Sequence, residues 1–491
     1  MPGPEPIDWT TLINGISGSM GFSGDSGYTL INGYNSLSDL LKYPTAIVYP
    51  VNENDIRTIV NFVRDNGITF TVRSGGGSFV GASNTEGLLI HLNGYTGISL
   101  SSDRTRVTVK SGTKMGDVYL GLYNSGYTLA LPTVGGGNEY VGIGMALGGG
   151  HTTRTGQHGL LSQRIKAARV VLYDGSVVEC DNYKNSDLLW ALKGGGGGAF
   201  GIVSELTFEP HAYERYYRVT ARFRTDGLTY AYNSWREFLK TKGSTIWTNG
   251  SFVWPGAAFA KQYGEGGTGF DFQIIVGISG SSAEAKNYLE TCGALPTGIT
   301  YTFASTGLGT VPDSFTRYTY DQIFNFGIIA GESFGTETVE AILRKTREFC
   351  LGICGGGTYA GLSGPYSQPP TIILNGYRPA TINDKTNSNS FPYLDGLHSF
   401  QFRMNLYDYA ILSPNRDTVL RQFMTDFFHE MGAITGYRSY CNYPLIGLTS
   451  GGASGYGKAY WGNNLLPLQQ VKKAYDPNNF FNEPHSVPPL E

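Results

Sequence analysis

Three glycine-rich stretches constrain this chain more than any other feature. The first is Val72-Arg73-Ser74-Gly75-Gly76-Gly77-Ser78-Phe79-Val80-Gly81. The second is Val141-Gly142-Ile143-Gly144-Met145-Ala146-Leu147-Gly148-Gly149-Gly150-His151. The third starts at Trp190-Ala191-Leu192-Lys193, runs from Gly194 through Gly198, and ends in Ala199-Phe200-Gly201-Ile202-Val203. Glycine clusters suit places where the backbone takes φ > 0 or approaches a bulky ligand closely. Ile68, Phe70 and Val72 alternate as in a short buried strand, which delivers Arg73 and then the glycine triplet. Successive backbone N–H groups in such a turn form a concavity for an anion, and Arg73 adds a fixed positive charge beside it. Taken alone, the triplet reads first as a tight surface turn. Three clusters in one chain point instead to a glycine-built site for a large, phosphate-bearing ligand.

The rest of the composition narrows the class. With 491 residues the chain is too long for one core, so two or three domains are expected. A net charge of −3 without a basic run gives no reason to expect nucleic acid or an acidic membrane surface as partner. The 69 glycines form no repeat, which excludes collagen-like and low-complexity readings. Tyrosine and phenylalanine, 33 and 26 residues, suit β-sheets and an aromatic-lined pocket. Five cysteines cannot all pair with one another; Cys350 and Cys354 stand four apart near a helix end, open to a disulfide, a metal pair or two buried thiols, the last being the default. No histidine lies near enough in sequence to complete a zinc site, and no metal is expected. Residues 1–8 carry neither a basic segment nor an apolar run, so no signal peptide is read and a cytoplasmic location is favoured, with secretion after processing as the alternative. Asn249-Gly250-Ser251 is a single glycosylation sequon of the kind that arises by chance.

Along the chain, residues before about 43 read as turn-rich surface wrapping. A strand at 46–50, a helix capped by Asn52 or Asn54 with Ile56, Ile59, Val60 and Val63 on one face, and the strand at 68–72 form a β-α-β unit. Strands follow at 88–90 and 107–109, and a helix at 115–123. Asp174-Gly175 between 167–173 and 176–179 predicts a type I′ hairpin. A short helix at 187–192 runs into the third cluster, and a strand at 202–208 closes this region. From about 216 the pattern changes to alternating strands (217–223, 270–276, 400–406) with helices between them (283–292, 337–350), an antiparallel sheet backed by helices.

Near the end stand Tyr440-Cys441-Asn442-Tyr443, Tyr460-Trp461-Gly462-Asn463-Asn464 and Val471-Lys472-Lys473-Ala474-Tyr475-Asp476-Pro477-Asn478-Asn479-Phe480-Phe481. In this order and company with the glycine clusters, they resemble the berberine bridge enzyme-like FAD-linked oxidases of the vanillyl-alcohol oxidase superfamily, over residues 43–487. The resemblance implies a two-domain α+β protein with a PCMH-type FAD-binding fold. Its parts would be a wrapping segment at 1–39, the FAD-binding domain at 40–210, an antiparallel-sheet substrate domain at 211–435, and a segment at 436–491 returning to the FAD domain. It implies FAD contacts at Arg73, Ser74, Gly75, Gly76, Gly77, Ser78, Gly142, Gly144, Gly148, Gly149, Gly150, Gly197, Gly198, Ile202 and Asn442. It also brings Tyr440 and Tyr443 to the substrate side of the flavin.

Relatives in this family place a flavin-bonding histidine where this chain has Gly77, and many place a second, cysteine attachment where it has Gly137 or Asn138. No cysteine precedes Cys180, so the expectation is FAD held without a covalent bond. The competing expectation is that FAD is lost and the pocket reused. Tyr440 is the candidate base if hydrogen bonds or a cation lower its pKa, with Tyr443 as base or pocket wall. His151 is a candidate acid or base; His91 reads as structural. On a strand, Cys441 would face away from its neighbours. Arg154, Lys193 and Lys472 read as solvated surface charges. The function expected is oxidation, in one version with cyclisation, of an apolar natural-product intermediate, with O2 as acceptor. The alternative is a redox-neutral isomerase or cyclase using His151 or Tyr440. The partners are a small-molecule substrate and O2; the oligomeric state is not legible.

Overall fold

The computed structural model describes residues 7–25, 28, 42–129, 142–152, 154–214, 216–223, 228–242, 247–253, 271–279, 281–309, 322–330, 335–353, 357–358, 371–376, 389–406, 414–445, 448 and 455–490. Gly137, Asn138, Val141, Cys354 and the side chain of Cys350 lie outside these.

The fold begins with the helix Glu53–Asp65. The Asn52 side chain accepts the Asp55 N–H at 2.8 Å and caps it. Ile56, Ile59, Val60 and Val63 recur at helical spacing and are all fully buried. They pack on a four-stranded sheet ordered Ser19–Phe22, Ala46–Tyr49, Leu88–His91, Phe70–Arg73. The last three strands are parallel, so Leu88–His91 lies between the two arms of the expected β-α-β unit. The segment before residue 43 reads from sequence as turn-rich wrapping; its described residues instead hold the helix Trp9–Gly15, whose Leu12 is buried, and the antiparallel edge strand Ser19–Phe22, while residues 29–41 lie outside the described residues.

A second, antiparallel sheet has the order Ile98–Leu100, Val107–Lys110, Ile202–Phe208, Ile165–Val171, Val177–Asp181. Its hairpin at Asp174-Gly175 is not type I′. The Gly175 N–H donates to Leu172 O at 3.0 Å and only Gly175 has positive φ, +76°, so Tyr173 and Asp174 are the central pair of a turn followed by a left-handed glycine. Glu53 ties the two sheets together: its carboxylate accepts from Arg169 at 2.8 and 3.0 Å and from the Ser204 hydroxyl at 2.9 Å.

The third sheet has seven antiparallel strands in the order Thr302–Gly309, Tyr216–Phe223, Asp271–Ser279, Trp247–Val253, Thr371–Gly376, His398–Leu406, Gln322–Ala330. The sequon at Asn249 therefore sits inside a strand paired on both sides. Val219, Ala221 and Phe223, then Phe272, Ile274 and Val276, then Phe400 and Phe402 alternate into one core. That core is closed by the helices Leu228–Lys242, Ser282–Thr291, Thr336–Ile353 and Pro414–Thr435. Between Phe400 and Phe402, Gln401 points the other way, into the cavity described below. After residue 455 the chain returns to the second sheet, where Tyr460, Trp461, Leu468 and Val471 join its core.

Lys472 is read from sequence as a surface charge, and that reading is wrong. Both Lys472 and Asp476 are buried, and the Lys472 ammonium donates to Asp476 at 2.7 Å and to Ala199 O at 2.8 Å. The Asp476 carboxylate also accepts the N–H groups of Phe480 and Phe481. The i, i+4 spacing on the helix Leu465–Tyr475 and its end brings the two charges together, and the interior leaves them no water. Arg154 and Lys193 are buried as well.

Lys472→Met strands the Asp476 charge and should cost about 3–5 kcal/mol, read as a lowered thermal midpoint. Adding Asp476→Asn should recover part of the loss, and an unchanged midpoint in the single variant contradicts the pairing. Glu53 has its pKa lowered first by the Arg169 hydrogen bond, with Ser204 and the charges of Arg169 and Arg57 adding to it against burial. Its stabilisation is present above the ordinary glutamate value, about 4.3, and is lost as pH falls through the lower folded value. Glu53→Gln should therefore be less stable than wild type at pH 7, with the gap closing in acid.

Candidate active site

The three glycine clusters line one cavity of about 480 Å³. Ser74, Gly75, Gly76, Gly77 and Ser78 come from the first, Gly142 and Gly144 from the second, and Gly197, Gly198 and Ile202 from the third. Close backbone approach explains the glycines better than flexibility does. A Cβ on Gly142 would stand 2.1 Å from Ser74 Oγ, so the second cluster can only lie against the first without side chains.

Arg73 does not line the cavity. The strand Phe70–Arg73 alternates, with Phe70 and Val72 facing the cavity and Thr71 and Arg73 buried on the other side. The Arg73 Nε donates to Ser83 O at 2.8 Å and its stem packs under Gly76, so it braces the turn from behind. Burial pulls its pKa down to about 10. Gly148, Gly149 and Gly150 also stand behind the wall. A Cβ on Gly148 would meet Asn442 Oδ1 at 2.0 Å, and one on Gly150 would meet Leu161 Cβ at 2.6 Å. Their role is to let Asn442, Tyr440 and Leu161 close in. His91 ends its strand beside the Tyr49 ring, away from the cavity lining.

Tyr440, Cys441, Asn442 and Tyr443 form a turn closed by the Tyr443 N–H donating to Tyr440 O at 2.8 Å. This is why the strand expectation for Cys441 fails: all four residues border the cavity. The Cys441 thiol donates to Gly148 O at 3.2 Å, and burial pushes its pKa up to about 12. The third sheet grips the turn from outside. The Tyr440 N–H donates to Gly327 O, and the Gly327 N–H to Tyr443 O.

At its centre the Tyr440 hydroxyl accepts two N–H groups, from the His151 backbone at 2.8 Å and Asn442 Nδ2 at 2.9 Å. Asn442 Nδ2 also donates to Met145 O at 2.8 Å, which holds it in place. Burial drives the Tyr440 pKa well up, and nearby Tyr443 and Cys441 add to this against the two hydrogen bonds. The Tyr443 ring meets Tyr440 edge-on at 5.0 Å and Phe79 at 6.1 Å. The buried His151 ring lies 6.3 Å from Tyr440, and burial pulls its pKa down to about 3. It is therefore neutral near pH 7 and has no imidazolium proton to supply.

Several lining residues were missed in the sequence. Gln401 is reached only through the third sheet, and nothing local marks it. Phe480 and Phe481 end the motif that starts at Val471, and Glu483 and His485 follow it, but no spacing shows that this loop folds onto the cavity. No group of three or more His, Cys, Asp or Glu among the described residues could hold a metal ion, and no described helix is long and apolar enough to cross a membrane.

The cavity fits a dinucleotide. The N–H groups of Gly75, Gly77, Gly197 and Gly198 have no hydrogen-bond acceptor among the described residues, and all four glycines border the cavity. Gly75 and Gly198 are half-buried and Gly77 and Gly197 are exposed, so their backbone donors are open to a ligand in the cavity, and phosphate oxygens are acceptors that suit them. The comparisons agree. Residues 44–181 match the FAD binding domain family and residues 439–488 the berberine and berberine-like family. The uncharacterized FAD-linked oxidoreductase YvdP of Bacillus subtilis is 25% identical over 486 residues, 96% of this chain and 98% of that protein. The glucooligosaccharide oxidase of Sarocladium strictum is 28% identical over 474 residues, 91% of this chain and 88% of that protein. A glucooligosaccharide oxidase structure from Acremonium strictum, described with a 6-S-cysteinyl, 8α-N1-histidyl FAD, superposes with a TM-score of 0.79 at 21% identity, covering 98% of this chain and 99% of that one. The chain carries an FAD binding domain and a berberine-like segment, is similar to FAD-linked oxidoreductases over nearly its whole length, and is itself an FAD-linked oxidoreductase whose cofactor is FAD.

Proposed function

We propose that this oxidase removes hydrogen from a hydroxyl-bearing small molecule, holds its flavin without a covalent bond, and uses O2 as acceptor. Residues 40–210 together with 436–491 hold the cofactor, and residues 211–435 supply the substrate wall. FAD held by these residues would supply a hydride acceptor for the substrate carbon and a route for the electrons to O2. The chain's own task is to take the hydroxyl proton. The observation that carries this reading is the Tyr440 hydroxyl, enclosed at the cavity wall and accepting two N–H groups. Those donors stabilise the oxygen once it has lost its proton. Asn442 and the His151 N–H position Tyr440, and Tyr443 with Phe79 forms an aromatic wall.

The described lining residues include neither Lys nor Arg, and their one carboxyl, Glu483, contacts Thr71 and Val72 on the far side of the glycine turn from Phe79 and Tyr443. Such a wall suits an uncharged substrate of medium size, such as an apolar natural-product intermediate, whose oxidised form can cyclise in place. Non-covalent attachment rests on Gly77, which borders the cavity and has no side chain to bond a flavin, and on the absence of cysteine before Cys180. The redox-neutral alternative draws on His151 or Tyr440; burial withholds an imidazolium proton from His151, which leaves that alternative Tyr440 alone.

Acid precipitation of the purified yellow protein should leave the flavin in the supernatant; flavin that stays with the precipitate refutes non-covalent attachment. Tyr440→Phe should lower turnover by about 10²–10⁴-fold with flavin content unchanged. Because burial keeps the phenol protonated at neutral pH, the ionised base grows as pH rises. Wild-type turnover should therefore climb from neutral to alkaline pH, with O2 consumed one for one and, anaerobically, no product beyond one equivalent per flavin. Tyr440→Phe should lack that climb; full turnover in the variant removes Tyr440 as the base.

A further inference from the structure

Glu483 takes no part in proton transfer at Tyr440, yet it is the sole acidic residue among the described residues that line the cavity. Protein encloses it, and part of its surface stays open to the cavity. One carboxyl oxygen accepts the Val72 N–H at 3.3 Å and the other the Thr71 hydroxyl at 3.2 Å. No ion pair to it is present among the described residues, and Lys42 acts on it only through space. Burial pushes the carboxyl up to about 8, against the pull of Val72, Thr71 and Lys42. Near pH 7 it therefore keeps its proton and offers one O–H donor beside one C=O acceptor, the same pattern as a glutamine amide. An adenine edge is the complement, with an amino donor next to a ring-nitrogen acceptor.

Position points the same way. The segment from Val72 to Phe79 runs through the glycine turn, with Glu483 at its first end and Tyr443 at its last. If the unpaired N–H groups of the turn take the diphosphate and the reacting ring lies by Tyr440 and Tyr443, the adenine is left the Glu483 end. That end has walls suited to a flat purine: the rings of Phe70 and Phe480 lie 4.9 Å apart, and those of Phe480 and Phe481 5.0 Å.

The loop is also held in advance. The Ser486 N–H donates to Glu483 O at 3.0 Å. His485, at φ +62°, is fixed by Tyr460, whose hydroxyl lies 2.7 Å from its Nδ1. A Cβ on Gly198 would stand 2.4 Å from Glu483 Cγ, so only glycine there leaves the carboxyl in place.

We propose that Glu483 reads the adenine edge of FAD, its carboxyl bonding the amino group and the neighbouring ring nitrogen, and so makes the protein select the dinucleotide over FMN. The proposal rests on FAD being the cofactor, not on how the flavin is attached. The test uses wild-type, Glu483→Gln and Glu483→Ala holoproteins at pH 7, following flavin fluorescence as FAD leaves after dilution. Glu483→Ala should release FAD about 10- to 100-fold faster, while Glu483→Gln, with the same donor and acceptor pattern, should stay near wild type. With a flavin purine dinucleotide, which carries hydrogen in place of the amine and leaves the carboxyl only its O–H···N bond, the gap between wild type and Glu483→Ala should narrow. Equal release of FAD by wild type and Glu483→Ala overturns the proposal, as does a gap that persists in full with the purine analogue. Should the flavin instead stay with acid-precipitated protein, non-covalent attachment fails, and Glu483 is judged by flavin content per chain. Glu483→Ala should then lower that content and Glu483→Gln preserve it, and equal content in all three overturns the proposal.

Discussion

Close approach of bare backbone is the constraint on which the rest of this structure depends. The second glycine cluster lies on the first at a distance that a single Cβ would forbid, as Gly142 against Ser74 shows. The third leaves room for the loop after Phe481 in the same way, at Gly198 against Glu483. Each cluster thus does two things at once. It shapes a wall that offers N–H groups, and it gives up the volume that lets another segment stack behind or beside it. Interiors pack too densely for either function to survive an added methyl group without movement elsewhere.

The catalytic candidates depend on that stacking. Tyr440 reaches its two N–H donors because Gly148 lets Asn442 in and because the backbone at His151 turns toward the phenol. From the other side Gly327 of the third sheet takes hold of the same turn, where a Cβ would stand 2.7 Å from Tyr443 Cβ. The turn is therefore clamped between the cofactor walls and the sheet that carries Gln401. The buried Lys472–Asp476 pair does comparable work for the C-terminal loop, joining Ala199 of the third cluster to Phe480 and Phe481 at the cavity. A charge pair this deep is costly to form, but once formed it tolerates little displacement.

Local chemistry was legible wherever its period or cap is local. Helix Glu53–Asp65 and its buried face follow from spacing alone, with the cap narrowed to Asn52 or Asn54, and so does the alternation of the third sheet. The same period-2 rule, applied to residues 70–73, would have turned Arg73 away from the ligand; its charge and its neighbouring glycines drew it to the diphosphate instead. The rule misled at Cys441 because residues 440–443 make a turn and not a strand.

The glycine clusters, the Tyr-x-Asn-Tyr segment and the FAD-binding class were written in residue order, because backbone access, turn chemistry and motif spacing are local properties. Burial and partnership are not local. Lys472, Lys193 and Arg154 look like surface cations until distant segments cover them. His151 looks like a proton donor until enclosure makes it neutral and leaves its backbone N–H as the working group. Glu483 is an unmarked residue in a C-terminal loop until contact with a strand more than four hundred residues earlier sets its protonation. Desolvation and long-range contact are sums over the folded surroundings, and only the tertiary structure brings those surroundings together.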